Sequence, residues 1–380
     1  MKRTLLFLAA LSMLAACGGP KTATAPLPLI APEAYTATVD GKPVSLYTLT
    51  NAAGATLQLT NYGSRMVSLW VPDRDGTMRD VLLGYETIAE AQNDGASLSP
   101  IVGRYGNRIA GGRFTLDGTE YQLNLNNGAN HLHGGPRGWA TKVWDAEQFT
   151  DAEGNPAVKM TLVSPDGEEN YPGTITLDVT YTLTPQNAVT IDYHATTDAP
   201  TVLNPTSHGY FNLHGTATES ALSHIVTIHA DAFTPTDAGM IPTGEIRAVE
   251  GTPLDFRTPT VVGDRIDTDY EPLVFGGGYD HNWVLNKGSE GEFALAVEVY
   301  EPATGIVMQV LTDQPAVQFY SGNSLDGPRG KRGETYTRRT GLAFETQHYP
   351  DSPNHPEFPT TVLRPGETYT QRTVYAFSTR

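Results

Sequence analysis

The stretch TITLDVTYTL, residues 174–183, has the alternation of a β-strand with one buried face. Apolar side chains occupy every second position from Ile175 to Leu183, and threonine or aspartate stands between them. Because successive side chains of a strand point to opposite faces, this pattern gives one apolar face and one polar face. A strand with one solvent-exposed face is typical of antiparallel sheets. The stretch therefore predicts an antiparallel β fold.

Comparable runs recur along the chain. They are SLYTLT at 45–50, TLQLTNY at 56–62, AVTIDYHA at 188–195 and LAVEVYEP at 295–302. In RFTLDGTEYQL, residues 113–123, Asp117 and Gly118 separate two alternating runs. An Asp-Gly dipeptide in this setting is the strongest short-range signal for a β-hairpin.

Helical patterns are scarce, and TIAEAQNDG at 87–95 is the best candidate. Because strands follow strands without intervening helices, the sequence disfavours a parallel α/β sheet. We predict an all-β protein with one large antiparallel β-sandwich over residues 35–380. Two fused sandwiches are the alternative.

The composition limits the partners. The 380-residue chain has a formal net charge of −17. A surface this acidic opposes phosphate groups, so we expect no nucleic-acid partner and no binding to an anionic membrane surface. One basic cluster stands among glycines and allows two interpretations, a phosphate-binding loop or a solvated loop: Arg329, Lys331, Arg332, Arg338 and Arg339.

The N-terminus has the pattern of an export signal. A basic start at 1–3 precedes an apolar run at 5–16, and LAAC ends at Cys17. The run is too short to span a bilayer. It resembles a bacterial lipoprotein signal, in which cleavage precedes a cysteine that carries the lipid. An ordinary secretory peptide is the alternative.

This resemblance implies a signal peptide at 1–16 and a lipidated Cys17 followed by a proline-rich tether, together 17–34. Cys17 is the single cysteine, which excludes an intrachain disulfide. Gly18 after the cysteine resembles lipoproteins of the outer membrane. We therefore expect an exported protein on the periplasmic face of that membrane, in contact with it only through the lipid anchor.

Polar side chains interrupt the apolar pattern in five stretches. Each combines Asn, His, Asp, Glu or Arg with glycine or an aromatic residue, which is the chemistry of a sugar site. The stretches are GRYGNRI at 103–109, NHLHGG at 130–135, NPTSHGYFNLHG at 204–215, GGYDHNW at 277–283 and AFETQ at 343–347.

Two other interpretations of these stretches remain open at this point. In a metal site, His131 and His133 would bind the ion from one strand face, with Asp280, His281 or Glu345 completing the ligands. In a glycosidase, Glu345 and Asp280 would form the carboxylate pair across the scissile bond. The sequence does not give the separations that would decide between them.

The stretches, taken in order, resemble the aldose 1-epimerase family, also called galactose mutarotases. The resemblance runs from about Tyr47 to the C-terminus. It includes four further stretches: LTNYGSRMVSLWVPDRDG at 59–76, DVLLGYET at 80–87, VQFYSGN at 317–323 and LRPGETYTQRTVYAFS at 363–378. The family implies a large antiparallel β-supersandwich with an open sugar site.

The resemblance also implies roles for individual residues. Glu345 of the ETQ motif corresponds to the general base, and His208 of the NPTxHxYFNL motif to the general acid. The substrate-binding positions are Asn107, Arg108, His133, Asp280, Tyr210 and Gln318, the last two as further contacts.

The implied activity is the interconversion of α and β anomers of free aldohexoses such as glucose and galactose, by ring opening and reclosure. This chemistry needs one acid and one base, and no cofactor or metal. We expect Glu345 to be ionised and His208 protonated, which gives a bell-shaped pH profile. The partner is then a small monosaccharide and the protein a monomer or weak dimer. A glycosidase and a non-catalytic sugar-binding lipoprotein are the alternatives.

The proline-rich loop DSPNHPEFP at 351–359 follows directly on the strand of Glu345. Its prolines fix several φ angles and stiffen it. We consider two interpretations, a wall of the sugar site and a rigid surface connection.

Overall fold

The computed structural model describes residues 27–215 and 219–380. The predicted signal peptide and Cys17 lie outside these described residues. TITLDVTYTL forms the strand Ile175–Leu183, whose apolar side chains are all buried. This agrees with the alternation in the sequence.

The largest sheet has nine strands, and every neighbouring pair is antiparallel. In spatial order its strands are Asp145–Thr150, Pro156–Ser164, Ile175–Leu183, Ala188–Thr197, Tyr369–Thr379, Ile306–Thr312, Ala294–Tyr300, Ile225–Ile228 and Thr260–Val261. The last long strand of the chain lies at its centre. Closing this sheet therefore requires pairing between distant parts of the sequence.

A second sheet of six antiparallel strands, here called the site sheet, carries four of the eight predicted site residues, Tyr210, Asp280, Gln318 and Glu345. Its strands are Tyr210–Phe211, Leu342–Gln347, Ala316–Tyr320, Asp280–Val284, Ala232–Thr234 and Arg247–Ala248. A third sheet contains Leu46–Thr50, Thr56–Thr60, Arg65–Pro72 and Met78–Asp80.

Short elements complete the described chain. The two-stranded pairs are Ala37–Val39 with Lys42–Val44, Ile101–Val102 with Thr206–Ser207, Arg108–Ile109 with His131–Leu132, Arg113–Leu116 with Thr119–Gln122, Thr201–Val202 with Val362–Leu363, and Asp326–Arg329 with Thr335–Thr337. The α-helices are Ile88–Gln92 and Glu271–Gly276. The 3₁₀ turns are Pro32–Tyr35, Ala110–Gly112, Trp139–Thr141, Glu168–Asn170, Ala221–Ser223, Val262–Asp264, Lys331–Gly333 and Ser352–Asn354.

The local turn and helix predictions are confirmed. Asp117 and Gly118 join the hairpin strands with φ angles of 50° and 80°, the sign that a two-residue hairpin turn requires at both positions. The helix predicted within 87–95 spans Ile88–Gln92, and Thr87 and Glu90 form a capping box at its start.

Packing begins before the predicted start of the domain near Tyr35. Ile30 is buried, and its backbone N–H and carbonyl bond to the Gln58 side chain at 3.0 and 2.9 Å. The last part of the predicted tether therefore lies against the third sheet.

One core joins the three large sheets. It contains Leu57 of the third sheet, Val179 of the nine-stranded sheet and Phe319 of the site sheet in a single apolar cluster. The architecture is an antiparallel β-sandwich, as predicted. In the described part of the chain, every helix is too short and too polar to cross a membrane.

Candidate active site

The site sheet has one polar face and one apolar face around AFETQ. Glu345 lies opposite Gln318 on the neighbouring strand, and Gln318 lies opposite Asn282 on the next. Residues paired across antiparallel strands share a face, so these polar side chains form one row. Phe344 points to the other face, where its ring stacks on Phe319 with centroids 4.9 Å apart. The buried phenylalanines thus fix the face on which the Glu345 carboxylate emerges.

Glu345 and His208 form a buried pair at the base of a cleft. The Nε2 atom of His208 lies 3.5 Å from Oε1 of Glu345, and the two residues are 4% and 2% exposed. The His208 ring stacks on Tyr210 at 5.0 Å and meets the edge of His133 at 5.1 Å. Oε2 of Glu345 and Nδ1 of His208 have no hydrogen-bond partner among the described residues. Buried polar atoms are normally paired, so these two are available to a ligand.

Burial determines the protonation of this pair. Desolvation lowers the pKa of His208 to about 4. Desolvation also raises the pKa of Glu345 well above its usual range, and Asp280 adds to the rise while Arg108 opposes it. At neutral pH the free protein therefore has a neutral His208. This differs from the charged His208 expected from the sequence, because the sequence does not show burial.

Asn107 and His133 hold each other by reciprocal hydrogen bonds. The backbone N–H of Asn107 donates to Nδ1 of His133 at 3.0 Å, and the backbone N–H of His133 donates to the Asn107 carbonyl at 3.1 Å. Because Nδ1 accepts a backbone proton, the neutral ring carries its own proton on Nε2. Desolvation lowers the pKa of His133 well below its usual range. His133 is therefore a neutral hydrogen-bond donor of fixed orientation.

Arg108 and Asp280 form the polar edge of the cleft. Arg108 donates from Nε to Oδ1 of Asn127 at 3.1 Å, and its Nη2 lies 3.9 Å from Oδ2 of Asp280. Nε2 of Gln318 donates to Oδ1 of Asp280 at 2.7 Å. Gln318 therefore lies behind Asp280 and is absent from the residues that line the cleft.

The cleft has a volume of about 520 Å³. Seven of the eight predicted site residues line it: Asn107, Arg108, His133, His208, Tyr210, Asp280 and Glu345. Other lining residues were missed by the sequence analysis: Asn127, Met240, Tyr320, the segment 95–97 and the segment 274–277. Alternation could have identified Tyr320, which shares a strand face with Gln318. The two segments give no local signal.

Comparison with known proteins agrees with this geometry. A family model described as aldose 1-epimerase matches residues 45–376.

The chain belongs to the aldose 1-epimerase family.

Curated relatives of this aldose 1-epimerase cover most of its length. Galactose mutarotase of Sus scrofa is 41% identical over 310 residues, which are 81% of this chain and 87% of that protein. Aldose 1-epimerase of Escherichia coli (strain K12) is 38% identical over 328 residues, 86% and 93% of the two chains.

Solved structures show the same fold. An aldose epimerase homologue from C. elegans superposes with a TM-score of 0.80 at 32% identity, covering 88% of this chain and 99% of the other. Galactose 1-epimerase from Lactobacillus acidophilus NCFM gives a TM-score of 0.79 at 29% identity, covering 90% and 97%. These matches confirm the predicted family and fold class.

Donor chemistry disfavours a metal ion at the base of this epimerase cleft. His133, His208 and Glu345 bring one ligand atom each within 4.8 Å of one another. However, the hydrogen bond from Asn107 to Nδ1 of His133 places the His133 ring proton on Nε2. A metal ligand needs a lone pair there. The cluster thus offers two ligands and one N–H donor.

A second cluster, His214, His224 and Glu301, has the same defect. The backbone N–H of Leu213 donates to Nε2 of His224 at 2.8 Å, which places the ring proton on Nδ1. That Nδ1 lies 3.3 Å from Glu301. The other two members contact Ser223, whose hydroxyl lies 3.0 Å from Nε2 of His214 and donates to Oε2 of Glu301 at 2.9 Å. The cluster therefore also offers two ligands and one N–H donor.

The other two histidines of the metal interpretation are structural. His131 contacts the Asn124 carbonyl and the Tyr171 hydroxyl, each at 2.6 Å. His281 contacts the backbone N–H of Asp280 at 3.1 Å and the Pro272 carbonyl at 3.0 Å. Both ring nitrogens of each histidine are therefore occupied.

The basic cluster has exposed and buried members. Arg329, Arg332 and Arg338 are exposed, which agrees with the solvated-loop interpretation, whereas Lys331 and Arg339 are buried. Lys331 is 1% exposed and pairs with Asp80 at 2.7 Å. The remaining members each contact a carboxylate or a backbone carbonyl: Arg329 with Glu90, Arg332 with Asp80, Arg338 with Gly277 and Arg339 with Asp267. Because each of these basic side chains already has a partner, the cluster offers few free donors to a phosphate group.

The proline-rich loop does not form a wall of the cleft, so that interpretation was wrong. Glu357, Phe358 and Pro359 line a separate hollow of about 1220 Å³. The loop contacts the site through the backbone N–H of Asp351, which donates to the Arg108 carbonyl at 2.9 Å.

Proposed function

We propose that this epimerase interconverts the α and β anomers of free aldohexoses such as glucose and galactose, with Glu345 as general base and His208 as general acid. Anomer interconversion is the activity of the family to which the chain belongs. The residue assignment rests on one observation: a buried carboxylate and a buried imidazole lie 3.5 Å apart at the base of the cleft.

The reaction is the cleavage and re-formation of a hemiacetal. The C1 hydroxyl gives its proton to Glu345 while the bond between C1 and the ring oxygen breaks. The electron pair of that bond stays on the ring oxygen, which takes a proton from His208, and C1 becomes an aldehyde carbon. Rotation about C1–C2 presents the other face, and reclosure returns both protons. There is no net redox change.

Substrate binding activates the pair in this mechanism. Desolvation favours the neutral form of both residues, whereas ring opening needs an ionised Glu345 and a proton on His208. Sugar hydroxyls that donate to Oε2 of Glu345 stabilise the ionised carboxylate. Because Oε2 has no partner among the described residues, this contact is available, and it favours transfer of the proton to His208.

The remaining residues orient the sugar. The Nε2–H group of His133 and the Arg108 guanidinium donate to the ring oxygen or neighbouring hydroxyls, and the Asp280 carboxylate accepts from hydroxyls farther round the ring. Asn107 offers its side-chain amide, and Tyr210 supplies the ring against which His208 stacks. Gln318 acts through Asp280. A cleft edge that carries both donors and acceptors suits a neutral polyol.

Polarimetry of freshly dissolved α-D-galactose and α-D-glucose tests the assignment. The protein starting at residue 27 should accelerate the approach to anomeric equilibrium. Glu345→Gln and His208→Asn should each lower the catalysed rate by roughly 10²–10⁴, the usual contribution of one positioned acid or base. Glycosidase activity predicts release of an aglycone instead. Non-catalytic binding predicts no acceleration.

Matched controls come from the second histidine–carboxylate cluster. Glu301 is 1% exposed and His224 is fully buried, so they resemble Glu345 and His208 in burial but lie outside the cleft. Glu301→Gln and His224→Asn should retain the rate in their folded fraction. An equal loss of the catalysed rate in both sets of variants would contradict the assignment of Glu345 and His208.

Export and lipidation at Cys17 are a further part of the proposal, supported by the LAAC pattern. We expect the mature protein to begin at Cys17, to be anchored on the periplasmic face of the outer membrane and to be a monomer or weak dimer. Mass spectrometry of the N-terminal peptide from full-length protein made in a bacterial host checks this. A Cys17→Ser variant should lose the lipid mass and leave the membrane fraction. An unmodified Cys17 in the native protein would contradict the anchor.

A further inference from the structure

A buried ion pair supports the cleft wall formed by the segment 95–97. Nη1 of Arg65 lies 2.6 Å from Oδ2 of Asp94, and the side chains are 1% and 6% exposed. Neither residue lines the cleft. Removing one partner of such a pair leaves an uncompensated buried charge, so the pair holds both of its members firmly in place.

Asp94 directs its remaining hydrogen bonds into the segment that follows it. Its carboxylate accepts the backbone N–H of Ala96 at 2.9 Å and of Leu98 at 3.0 Å. It also accepts the hydroxyl of Tyr85 at 2.8 Å. Arg65 donates to the Leu98 carbonyl at 2.5 Å. The segment 94–98 therefore folds around the ion pair.

The same segment holds the acid His208. The hydroxyl of Tyr210, whose ring stacks on His208, donates to the Ala96 carbonyl at 2.9 Å. The backbone N–H of Ser99 donates to the His208 carbonyl at 3.1 Å, and the His208 N–H donates to the Pro100 carbonyl at 3.0 Å. Hydrogen bonds and the covalent backbone thus link Asp94 to the main chain of His208, and the stack of Tyr210 on His208 extends this link to the ring.

We infer that Asp94 and Arg65 are positioning residues for His208, and this inference rests on the proposed role of His208 as general acid. The pair touches no substrate. It fixes the segment that sets the plane of Tyr210 and, through it, the direction of the His208 ring. Positioned acids and bases lose catalytic power steeply when displaced, by up to about 10²-fold for 1 Å.

The sugar-binding side chains are held by other contacts. Asn107 and His133 bond to each other, and Asp280 bonds to Gln318. Loosening the segment 94–98 should therefore affect the acid more than sugar binding. This gives a readout that a purely structural ion pair would not change.

The test is polarimetric kinetics of Asp94→Asn with α-D-galactose, well below its melting temperature. We expect kcat to fall roughly 10- to 100-fold and KM to change much less. Arg65→Lys keeps the positive charge, so its kcat should fall less than that of Asp94→Asn. Asp80→Asn is the matched control, because the Asp80–Lys331 pair is equally buried, at 1% exposure for each side chain, and neither partner lines the cleft. It should lower stability and leave kcat unchanged.

Tyr210→Phe provides an independent variant if Asp94→Asn does not fold. It keeps the ring against His208 and removes only the hydrogen bond to Ala96, and it should also lower kcat. An unchanged kcat in Tyr210→Phe and in the folded Asp94→Asn protein would overturn the inference. Equal losses in Asp94→Asn and Asp80→Asn would overturn it too. These outcomes leave the proposed function intact, whereas a wild-type protein no faster than buffer would remove the proposed function itself.

Discussion

At the scale of single residues, environment rather than residue type determines how the acid and the base titrate. Glu345 and His208 share a desolvated site. Desolvation raises the pKa of Glu345 and lowers the pKa of His208, so it favours the neutral form of each. His133, in the same cleft, is locked as a neutral donor by one backbone hydrogen bond. The desolvated cleft therefore favours the neutral form of all three side chains.

This arrangement predicts a bell-shaped dependence of kcat/KM on pH. The active form carries one proton on the Glu345–His208 pair. As pH falls through the His208 pKa of about 4, a second proton binds and the base is lost. As pH rises through the raised pKa of Glu345, the remaining proton leaves and the acid is lost.

Polarimetric rates in buffers of constant ionic strength, corrected for the buffer-catalysed reaction, check this profile. The control Glu301→Gln should reproduce the wild-type profile. A catalysed rate that continues to increase with pH, without an alkaline limb, would contradict the assignment of the pair.

A second prediction at this scale concerns Gln318, which donates to Asp280 at 2.7 Å. Gln318→Leu leaves Asp280 without this donor, and a hydrogen bond to a charged group contributes about 1.5–3 kcal/mol. We expect KM to rise about tenfold or more with a smaller change in kcat. Gln309→Leu, which removes a hydrogen bond to Glu298 on the nine-stranded sheet, is the control. An unchanged KM in Gln318→Leu would show that Asp280 does not bind the sugar.

At the scale of elements, the site depends on one strand and on turns that meet it. The strand Leu342–Gln347 is buried along its whole length, with Leu342 and Phe344 on one face and Glu345 on the other. The turn at NHLHGG brings His133 to Asn107 by close backbone contact. A Cβ placed on Gly134 would lie 1.7 Å from the Gly103 carbonyl oxygen. Only glycine allows this approach.

Gly134→Ala should therefore be strongly destabilising. Gly118→Ala is a matched control, because Gly118 has a similar positive φ but open space around it. The strain of a left-handed φ alone costs about 1–2 kcal/mol, and the steric overlap at Gly134 should add to that cost. Chemical denaturation of both variants measures the difference. An equal decrease in the free energy of unfolding in the two variants would show that the backbone around Gly134 can shift to accommodate a methyl group.

At the scale of the whole molecule, the core and the site are two faces of the same sheet. Phe344 and Phe319 pack in the cluster that joins the three large sheets, while their sequence neighbours Glu345 and Tyr320 line the cleft. Core packing therefore sets the position and direction of the Glu345 carboxylate in the cleft.

Phe344→Ala should lower the free energy of unfolding by about 3–5 kcal/mol, the usual cost of emptying a buried aromatic site. It should also reduce kcat at temperatures where the protein remains folded, because its neighbour Glu345 loses support. Val163→Ala, at a side chain 57% exposed, should change stability by less than about 0.5 kcal/mol. Full activity in folded Phe344→Ala would show that the strand backbone alone positions Glu345.

The strands, the Asp117-Gly118 hairpin, the capped helix within 87–95 and the motifs of the epimerase family could be predicted from the sequence. These features depend on alternation, turn chemistry and residue identity, which are local. The resemblance also named seven of the residues that line the cleft, since each belongs to a short motif.

The partners of these residues depend on the tertiary structure. It placed Gln318 behind Asp280, removed the proline-rich loop from the cleft, paired Lys331 and Arg339 with carboxylates and left His208 neutral in the free protein. It also brought Arg65 and Asp94 to the segment that holds His208. These results depend on register, burial and contacts between residues far apart in the chain, and a desolvation free energy or a hydrogen-bond partner has no local signature in sequence.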